Sequence, residues 1–380
     1  MRILGLVVEY NPFHNGHLHH IEASKKLVQP DVTIAVMSGH FMQRGEPACM
    51  TKWNRAALAL AFGVDLMVEL PFAFSNQSAD LFALGAVSLL KHLGVTHLCF
   101  GSELGEIKEL TRLADKMDNL EVKELLATGL SLPKALAQVE PALSGANNTL
   151  GIQYIRAIRE LEADIIPLTI SRKIAGYNDQ VPNDDRIASA TAIRKLIDEE
   201  VDYSQYVPAK LDDPYMALQN WKSHYKFLRH KLLTLRLADL EQIHDMVEGI
   251  ENRLVVAARE SNTWVDFMQA VATRRYTRTR IGRICVNVLV GLTKWEIAEW
   301  NLRQGAPYVR ILGFTKTGAN YLKRVKNDVL VPIYSNFSKE CHPMLQHEIK
   351  VTAAWGSIYQ AKDMTKILKQ ETASKPVMKD

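Results

Sequence analysis

The chain has 380 residues, of which 47% are hydrophobic and 23% are charged, and its formal net charge is +4. This composition excludes a largely disordered chain and is typical of a folded globular protein, for which this length predicts two domains. The small positive charge excludes a strongly acidic or basic protein, so the distribution of charge along the chain must indicate any polyanionic partner.

Cysteine spacing and hydropathy both indicate a cytoplasmic protein. Cys49, Cys99, Cys285 and Cys341 are scattered, without the spacing of a disulfide framework or a metal site, so we expect reduced thiols. No apolar run reaches 18 residues, and the first one is interrupted too early to be a signal peptide. We therefore predict a cytoplasmic location and no membrane partner.

The first predicted strand leads directly into a turn that contains two histidines. Residues 3–10 form an apolar run that is typical of a strand buried on both faces, and residues 18–28 have the pattern of a helix. His14 and His17 lie between them, where the free N–H groups of a helix start bind anions and imidazoles add donors. Such a pair also occurs by chance as structural histidines. Its place after the first strand of an α/β pattern favours phosphate binding.

Four more strands are predicted in the first half of the chain, at residues 31–37, 64–70, 95–100 and 164–170. Their alternation with helices predicts an α/β fold with a Rossmann-like parallel sheet, and Pro167 indicates that the last of them is an edge strand. The loop at 38–47 and Gly101 follow the second and fourth strands. We expect both to approach a ligand, although a flexible connection is the alternative for the loop.

A second anion site is predicted at residues 187–194. Ser189 or Thr191 can cap the helix that carries Arg194, and a helix start with these groups suits phosphate oxygens. Serine and threonine are also routine structural caps, so a purely structural role remains the alternative at this point.

Beyond residue 200 the strand and helix alternation stops. Helical periodicity over 228–240, 243–257 and 264–271 predicts a mainly α-helical domain. We therefore expect an α/β domain that carries the predicted anion sites at 1–205, a mainly helical, basic domain at 206–365 and a frayed polar tail at 366–380.

The helical half concentrates positive charge. Five arginines fall between residues 274 and 283, and a nucleic acid explains such a density best. The predicted contacts are Arg274, Arg275, Tyr276, Arg278, Arg280 and Arg283. A solvated helix face is the alternative. Arg310 extends the basic trend, with Tyr308 as a stacking group.

Several motifs together resemble the bacterial tRNA(Met) cytidine acetate ligases, over nearly the whole chain. They are Gly5–Leu18, Met37–Phe41, Arg44–Ala48, Phe100–Glu103, Asn147–Gly151 and Arg275–Thr277. The resemblance implies a nucleotidylyltransferase-like Rossmann domain that binds ATP. The implied ATP-binding residues are Val7, Val8, Glu9, Tyr10, Asn11, Pro12, Phe13, His14, Asn15, Gly16, His17, Leu18, His19, His20, Gly101, Asn147 and Arg172. Asn148 is the alternative to Asn147, and Ala190 replaces the serine or threonine that is usual in the wider superfamily.

The resemblance also implies the reaction. Acetate attacks the α-phosphorus of ATP to give acetyl-adenylate and diphosphate, and N4 of the wobble cytidine of elongator tRNA(Met) then takes the acetyl group and releases AMP. Acetate is already ionised, so His14 and His17 are assigned to stabilising charge on the phosphate rather than to acid–base chemistry. Mg²⁺ is expected as a counter-ion of ATP, because no metal-ligating cluster is visible in the sequence. No DNA partner is expected.

Two other functions remain open from the sequence. The first is a small-molecule adenylyltransferase of the pantetheine-phosphate or nicotinamide-mononucleotide kind, which shares the first-strand motif but does not explain the basic helical half. The second is a non-catalytic RNA-binding protein with a relic nucleotide fold. Salt-dependent tRNA affinity and acetate-dependent ATP–diphosphate exchange would exclude the first and the second, respectively.

Overall fold

All five strands predicted in the first half form a parallel sheet in the computed structural model. They are β1 (Ile3–Val8), β2 (Val32–Ser38), β3 (Leu66–Leu70), β4 (His97–Ser102) and β5 (Ile166–Ser171). Their order is β5-β4-β1-β2-β3, and each neighbouring pair is parallel. β5 lies at the edge, as Pro167 predicted. The structure describes residues 1–117, 124, 125, 127, 138, 145–171, 186–216, 219–247, 249–273, 276–338 and 340–380.

Helices connect these strands and cover both faces of the sheet. They are α1 (Asn15–Val28), α2 (Lys52–Ala61), α3 (Phe72–Ser75), α4 (Ala79–His92), α5 (Ile107–Lys116), α6 (Ala146–Glu160) and α7 (Ala190–Asp198). Ile21 of α1 and Trp53 of α2 pack on one face of the sheet, while Phe82 of α4 and Ile152 of α6 pack on the other. This double cover explains why β2 and β3 are buried at every position and have continuous apolar sequences.

The second half is mainly helical, as predicted. Its helices are α8 (Trp221–Thr234), α9 (Leu237–Glu241), α10 (Ile250–Glu260), α11 (Trp264–Val271), α12 (Arg278–Val290), α13 (Lys294–Trp300), α14 (Lys316–Val325), α15 (Pro343–Gly356) and α16 (Ala361–Ala373). Leu228, Leu254, Phe267 and Trp355 belong to a second apolar core that these helices enclose. The domain limits at 205 and 365 remain a prediction.

The second half also returns to the sheet, which the sequence did not indicate. β6 (Val309–Thr315) lies antiparallel to β3, and β7 (Ile333–Tyr334) and β8 (Val377–Lys379) pair with β6. Arg310 on β6 is 2% exposed and Tyr308 is 1% exposed. The expectation that both extend a nucleic-acid surface is therefore wrong, because their side chains are needed inside the protein.

The structure also differs from the prediction of a frayed tail. Residues 361–373 form α16, and its Glu371 is 2% exposed. Glu371 pairs with Lys52 at 2.8 Å and with Arg310, so charges from distant parts of the chain make its burial possible. The segment has a polar sequence, which is why composition suggested disorder. Among the described residues, no helix is both long and apolar enough to span a membrane.

Candidate functional site

A cavity of about 730 Å³ opens at the carboxyl edge of the sheet. Strand order changes direction at β1, because β2 and β3 follow it on one side and β4 and β5 on the other. Ligands of open α/β sheets bind at such a switch point. Val8 of β1, Gly101 of β4 and Ser171 of β5 line the cavity, so the predicted location of the site is the location of the cavity.

The two histidines of the first turn form the floor of this cavity and also begin α1. The backbone N–H of Gly16 donates to Nδ1 of His14 at 3.1 Å, and the N–H of His14 donates to Nδ1 of His17 at 3.3 Å. The two imidazoles stack with their centroids 3.7 Å apart. Together these contacts make a capping box built from histidines.

The capping contacts fix the chemistry that the imidazoles offer. Because Nδ1 accepts a hydrogen bond in both rings, the neutral tautomer carries its proton on Nε2, and each ring is a donor there. Gly16 makes the arrangement possible, since a Cβ at this position would lie 2.9 Å from Cε1 of His14. Tyr10, next to the turn, has a left-handed backbone with φ 50°. Such conformations in residues other than glycine concentrate at functional sites.

The loop at 38–47 forms a second wall, as expected. Gln43, Arg44 and Glu46 line the cavity. The N–H of Gln43 donates to the Glu9 carboxylate at 2.8 Å, and burial raises the pKa of Glu9. Gly45 has φ 72°, and a Cβ there would lie 2.1 Å from the carbonyl carbon of Gly282 in α12. The loop therefore bridges the sheet and the helical half.

The second predicted anion site also meets the cavity. Ser189 caps α7 by accepting from the N–H of Ala192 at 3.0 Å. Arg194 donates to the carbonyl of Asn11 at 2.7 Å and pairs with Glu46 at 2.7 Å, which joins the histidine turn to the second loop. Ser189, Thr191 and Arg194 all line the cavity.

The start of α6 also contributes to the wall of the cavity. Asn147 lines the cavity and donates its side-chain amide to Glu103 at 2.7 Å. Asn148 is 1% exposed, and its side-chain oxygen accepts from the N–H of Leu104. The geometry thus favours Asn147 over Asn148 as the residue that faces a ligand.

The helical half contributes a third wall. Thr277, Thr279 and Arg283, at the beginning of α12, line the same cavity as the histidine turn. Arg278 is exposed between them. The described part of the predicted basic segment, residues 277–283, therefore includes both an exposed arginine and residues that line the cavity.

Other members of the predicted basic segment have structural contacts. Tyr276 is buried and lies under the guanidinium of Arg280 at 5.4 Å, and Arg280 pairs with Asp245 at 3.0 Å. Arg172, Arg274 and Arg275 lie outside the described residues.

Most residues of the predicted ATP-binding set line the cavity. They are Val7, Val8, Glu9, Tyr10, Asn11, His14, Gly16, His17, His19, His20, Gly101 and Asn147. Four others support the turn instead. Pro12 and Phe13 are buried, Leu18 packs on the apolar core, and Asn15 donates to the carbonyls of Arg186 and Gln205 at 2.8 and 2.9 Å. Those four positions remain predictions as ligand contacts.

Sequence reasoning missed several residues in the cavity wall. Asp80 and Phe82 come from the first turn of α4, Tyr154 from α6, and Thr279 from α12. No motif marks them, because only the packing of these helices brings them to the sheet edge.

The described residues contain no group of three or more histidine, cysteine, aspartate or glutamate side chains placed to hold a metal ion. The carboxylates in the wall already have partners. Glu46 pairs with Arg194, Asp80 pairs with Arg303 at 2.7 Å, and Glu9 accepts from Gln43. The described wall therefore offers donors and positive charge for an anion.

The comparison with known proteins agrees with the class that this fold and site define. A family model for the HIGH nucleotidyl transferases matches residues 1–371. A Rossmann-like sheet with two histidines after its first strand and a cavity at the switch point fits that class.

More similar relatives identify the family within this class. The tRNA(Met) cytidine acetate ligase of Anoxybacillus flavithermus is 41% identical, over 99% of this chain and 100% of the relative, and that of Geobacillus sp. is 38% identical over the whole of both. Crystal structures of Thermotoga maritima TmcAL, one apo and one bound with alpha-thio ATP, give TM-scores of 0.88 and 0.86 at 32% identity, over 100% of this chain and 99% of theirs. The chain belongs to the tRNA(Met) cytidine acetate ligase family of HIGH nucleotidyl transferases.

Proposed function

We propose that this chain is an ATP-dependent ligase that acetylates N4 of the wobble cytidine of elongator tRNA(Met). The observation that carries the proposal is the shared cavity, in which His14 and His17 of the first turn face the same space as Thr279 and Arg283 of the helical half. The name of the full-length relatives and the ATP analogue bound to the Thermotoga maritima protein support the same activity.

In the first step, acetate attacks the α-phosphorus of ATP, and diphosphate leaves. An acetate oxygen forms the new bond to phosphorus, so no proton is transferred. The site needs to align the two reactants and stabilise the charge that builds on the phosphate oxygens. The Nε2 donors of His14 and His17, next to the start of α1, supply that stabilisation.

In the second step, the N4 amine of cytidine attacks the acetyl carbon of acetyl-adenylate. The bond to the adenylate oxygen breaks, AMP leaves, and the amine loses one proton. A cytosine amine is a weak nucleophile because its lone pair is delocalised into the ring, which explains the need for an activated acetyl group. The base must also leave its stack to enter the cavity.

Mg²⁺ accompanies ATP in this proposal as a counter-ion of its phosphates. Mg²⁺ commonly retains water and substrate phosphates as ligands, so it does not need a cluster of protein carboxylates. Soluble tRNA is the partner of the second step, and the exposed Arg278 gives its phosphates a contact outside the cavity.

The proposal is tested by incubating the full chain with ¹⁴C-acetate, ATP and bulk tRNA, followed by nuclease digestion to locate the label. We expect the label in a single modified nucleoside, N4-acetylcytidine, from tRNA(Met). Unlabelled tRNA, together with no salt-dependent affinity for tRNA, would favour a small-molecule adenylyltransferase, which transfers AMP and consumes no acetate. tRNA binding without acetate-dependent ATP–diphosphate exchange would favour a non-catalytic RNA-binding protein.

A further inference from the structure

One arginine in the wall of the cavity has no partner among the described residues. Arg283 lines the cavity with Thr279, which lies four residues earlier on the same face of α12. In that part of the chain its guanidinium makes neither a hydrogen bond nor an ion pair, whereas Arg194 pairs with Glu46 and Arg280 with Asp245. Burial lowers the pKa of Arg283, yet a guanidinium remains charged.

The carboxylates nearest to Arg283 are already paired with other arginines. Asp80 and Asp245 are the carboxylates that act on Arg283. Asp80 already pairs with Arg303 at 2.7 Å, and Asp245 pairs with Arg280 at 3.0 Å. Arg303 also pairs with Glu160 at 3.4 Å. Both carboxylates that act on Arg283 are thus paired with other arginines, and of the three arginines only Arg283 lines the cavity, so an anion that enters there would give it a partner.

The position of Arg283 favours an RNA phosphate over acetate. α12 begins at the exposed Arg278, and Thr279 and Arg283 on the same helix line the cavity, so the helix connects the protein surface with the space that a base would enter. A base that leaves its stack brings its own phosphates to the mouth of the pocket. Acetate must keep its charge on the attacking oxygen, and a bidentate guanidinium would withdraw that charge.

We propose that Arg283, with the hydroxyl of Thr279 beside it, binds a phosphate adjacent to the wobble cytidine when that base enters the cavity. This inference rests on the proposed function and deepens it. The planar fork of arginine matches two oxygens of one phosphodiester. The contact orients the nucleotide for the second step and contributes nothing to the formation of acetyl-adenylate.

The test compares the full chain with Arg283→Gln in the two steps separately. Acetate-dependent ATP–diphosphate exchange without tRNA should keep its rate and its KM for acetate and ATP. The kcat/KM for tRNA should fall roughly tenfold to a hundredfold, as expected for the loss of a charge-assisted hydrogen bond. The slope of log affinity against log salt should flatten by about 0.7, the value for one single-strand phosphate. Arg283→Lys should keep the slope.

A modified tRNA identifies the phosphate. Full-length tRNA is assembled by ligation with a neutral methylphosphonate in place of either phosphate next to the wobble cytidine. On one of the two tRNAs, the wild-type chain and Arg283→Gln should have the same kcat/KM. The matched control is Arg259→Gln, which changes an exposed arginine of α10 that does not line the cavity. It should behave as wild type throughout.

Three results would overturn the inference. A higher KM for acetate or ATP in the exchange reaction would assign Arg283 to the first step. An equal loss of kcat/KM on both modified tRNAs and on natural tRNA would assign it to another phosphate or to folding. A wild-type rate for Arg283→Gln on natural tRNA would remove it from substrate binding. If the wild-type chain acetylates no tRNA, the proposed function itself fails, and this inference fails with it.

Discussion

At the scale of single residues, His14 and His17 have two roles that must be separated. Their Nδ1 atoms cap α1, and their Nε2 atoms are the donors that we assign to the α-phosphate. A loss of activity in a histidine variant therefore has two explanations, a frayed helix start or a missing donor. The side chain of glutamine distinguishes them, because glutamine at this position of a capping box accepts from the same backbone N–H.

Both His17→Ala and His17→Gln should lose acetate-dependent ATP–diphosphate exchange by at least about a hundredfold, the range for removal of one transition-state donor. tRNA binding should remain within about twofold. His17→Ala should lower the free energy of unfolding by about 1 kcal/mol through the lost cap, while His17→Gln should retain it. Wild-type exchange in His17→Gln would show that the imidazole acts only as a cap.

At the scale of elements, the carboxyl ends of β1 and β2 are held together by one buried side chain from α2. Arg55 is fully buried and donates to the carbonyls of Glu9 at 2.6 Å, of Ser38 at 3.0 Å and of Gly39. Burial lowers its pKa to about 10, so it still carries its charge at neutral pH. Arg55 is a positioning residue, because it fixes both strand ends that lead into the cavity walls.

Arg55→Lys should lower the free energy of unfolding by about 3 kcal/mol, because an ammonium group cannot reach all these carbonyls and leaves some of them unpaired. The kcat of the exchange reaction should also fall more than the KM for ATP rises, since misplaced loops affect the aligned state most. Urea denaturation and exchange kinetics measure both effects. A free energy of unfolding equal to that of the wild-type chain would contradict the role of Arg55 in fixing the two strand ends.

A second prediction about a single element concerns the basic segment at the start of α12. Arg275→Ala combined with Arg278→Ala should weaken tRNA binding and flatten its salt slope by about 1.4 to 1.8, the effect of two lost phosphate contacts. Exchange without tRNA should not change. Filter binding at several salt concentrations measures the slope, with Arg259→Ala as the control. Unchanged tRNA binding would show that the segment is a solvated helix face.

At the scale of the whole molecule, a buried group of charges joins the sheet to the C-terminal helices. Lys52 of α2 and Arg310 of β6 contact Glu69 of β3 and Glu371 of α16, with Lys52–Glu69 at 2.6 Å and Arg310–Glu69 at 2.9 Å. Burial alone would raise the pKa of Glu371, but Arg310 and Lys52 outweigh it and hold that pKa well below its usual range.

Glu348 of α15 would be a third carboxylate beside these two cations. Burial, reinforced by the charge of Glu69, raises the pKa of Glu348 to about 8. Its pKa is higher in the folded chain than in the unfolded chain. The stability from its protonated form is therefore fully present below about pH 4.5 and is lost as the pH rises through about 8.

The contribution of this group to the free energy of unfolding should consequently fall between about pH 4.5 and pH 8, by up to about 1.4 kcal/mol per pH unit, and should stay constant above that range. Glu348→Gln keeps the acceptor that binds the N–H of Phe72 and cannot ionise. Its pH dependence should be flatter by that contribution. Urea denaturation at each pH measures it, and parallel curves for the two chains would contradict the assignment.

The sequence predicted the first half of the fold and the floor of the site because both depend on local pattern. The buried runs of β1 to β5 are continuous, and His14 and His17 follow the first of them. It did not predict β6, because Arg310 made that segment resemble a basic surface. In the structure Arg310 is buried and pairs with Glu69 and Glu371, which are distant in the chain. Thr279 was missed for another reason, since only the packing of segments distant in the chain places it in the cavity that His17 lines.

The central claim, acetate activation through an acetyl-adenylate followed by transfer to tRNA, is tested most directly with acetate labelled with ¹⁸O in both oxygens. The acetate oxygen that bonds to the α-phosphorus remains on phosphorus when the amine takes the acetyl group. Mass spectrometry of the products should therefore find one ¹⁸O in AMP for each acetyl group on the wobble cytidine of tRNA(Met). AMP without ¹⁸O, or ADP in its place, would contradict the account.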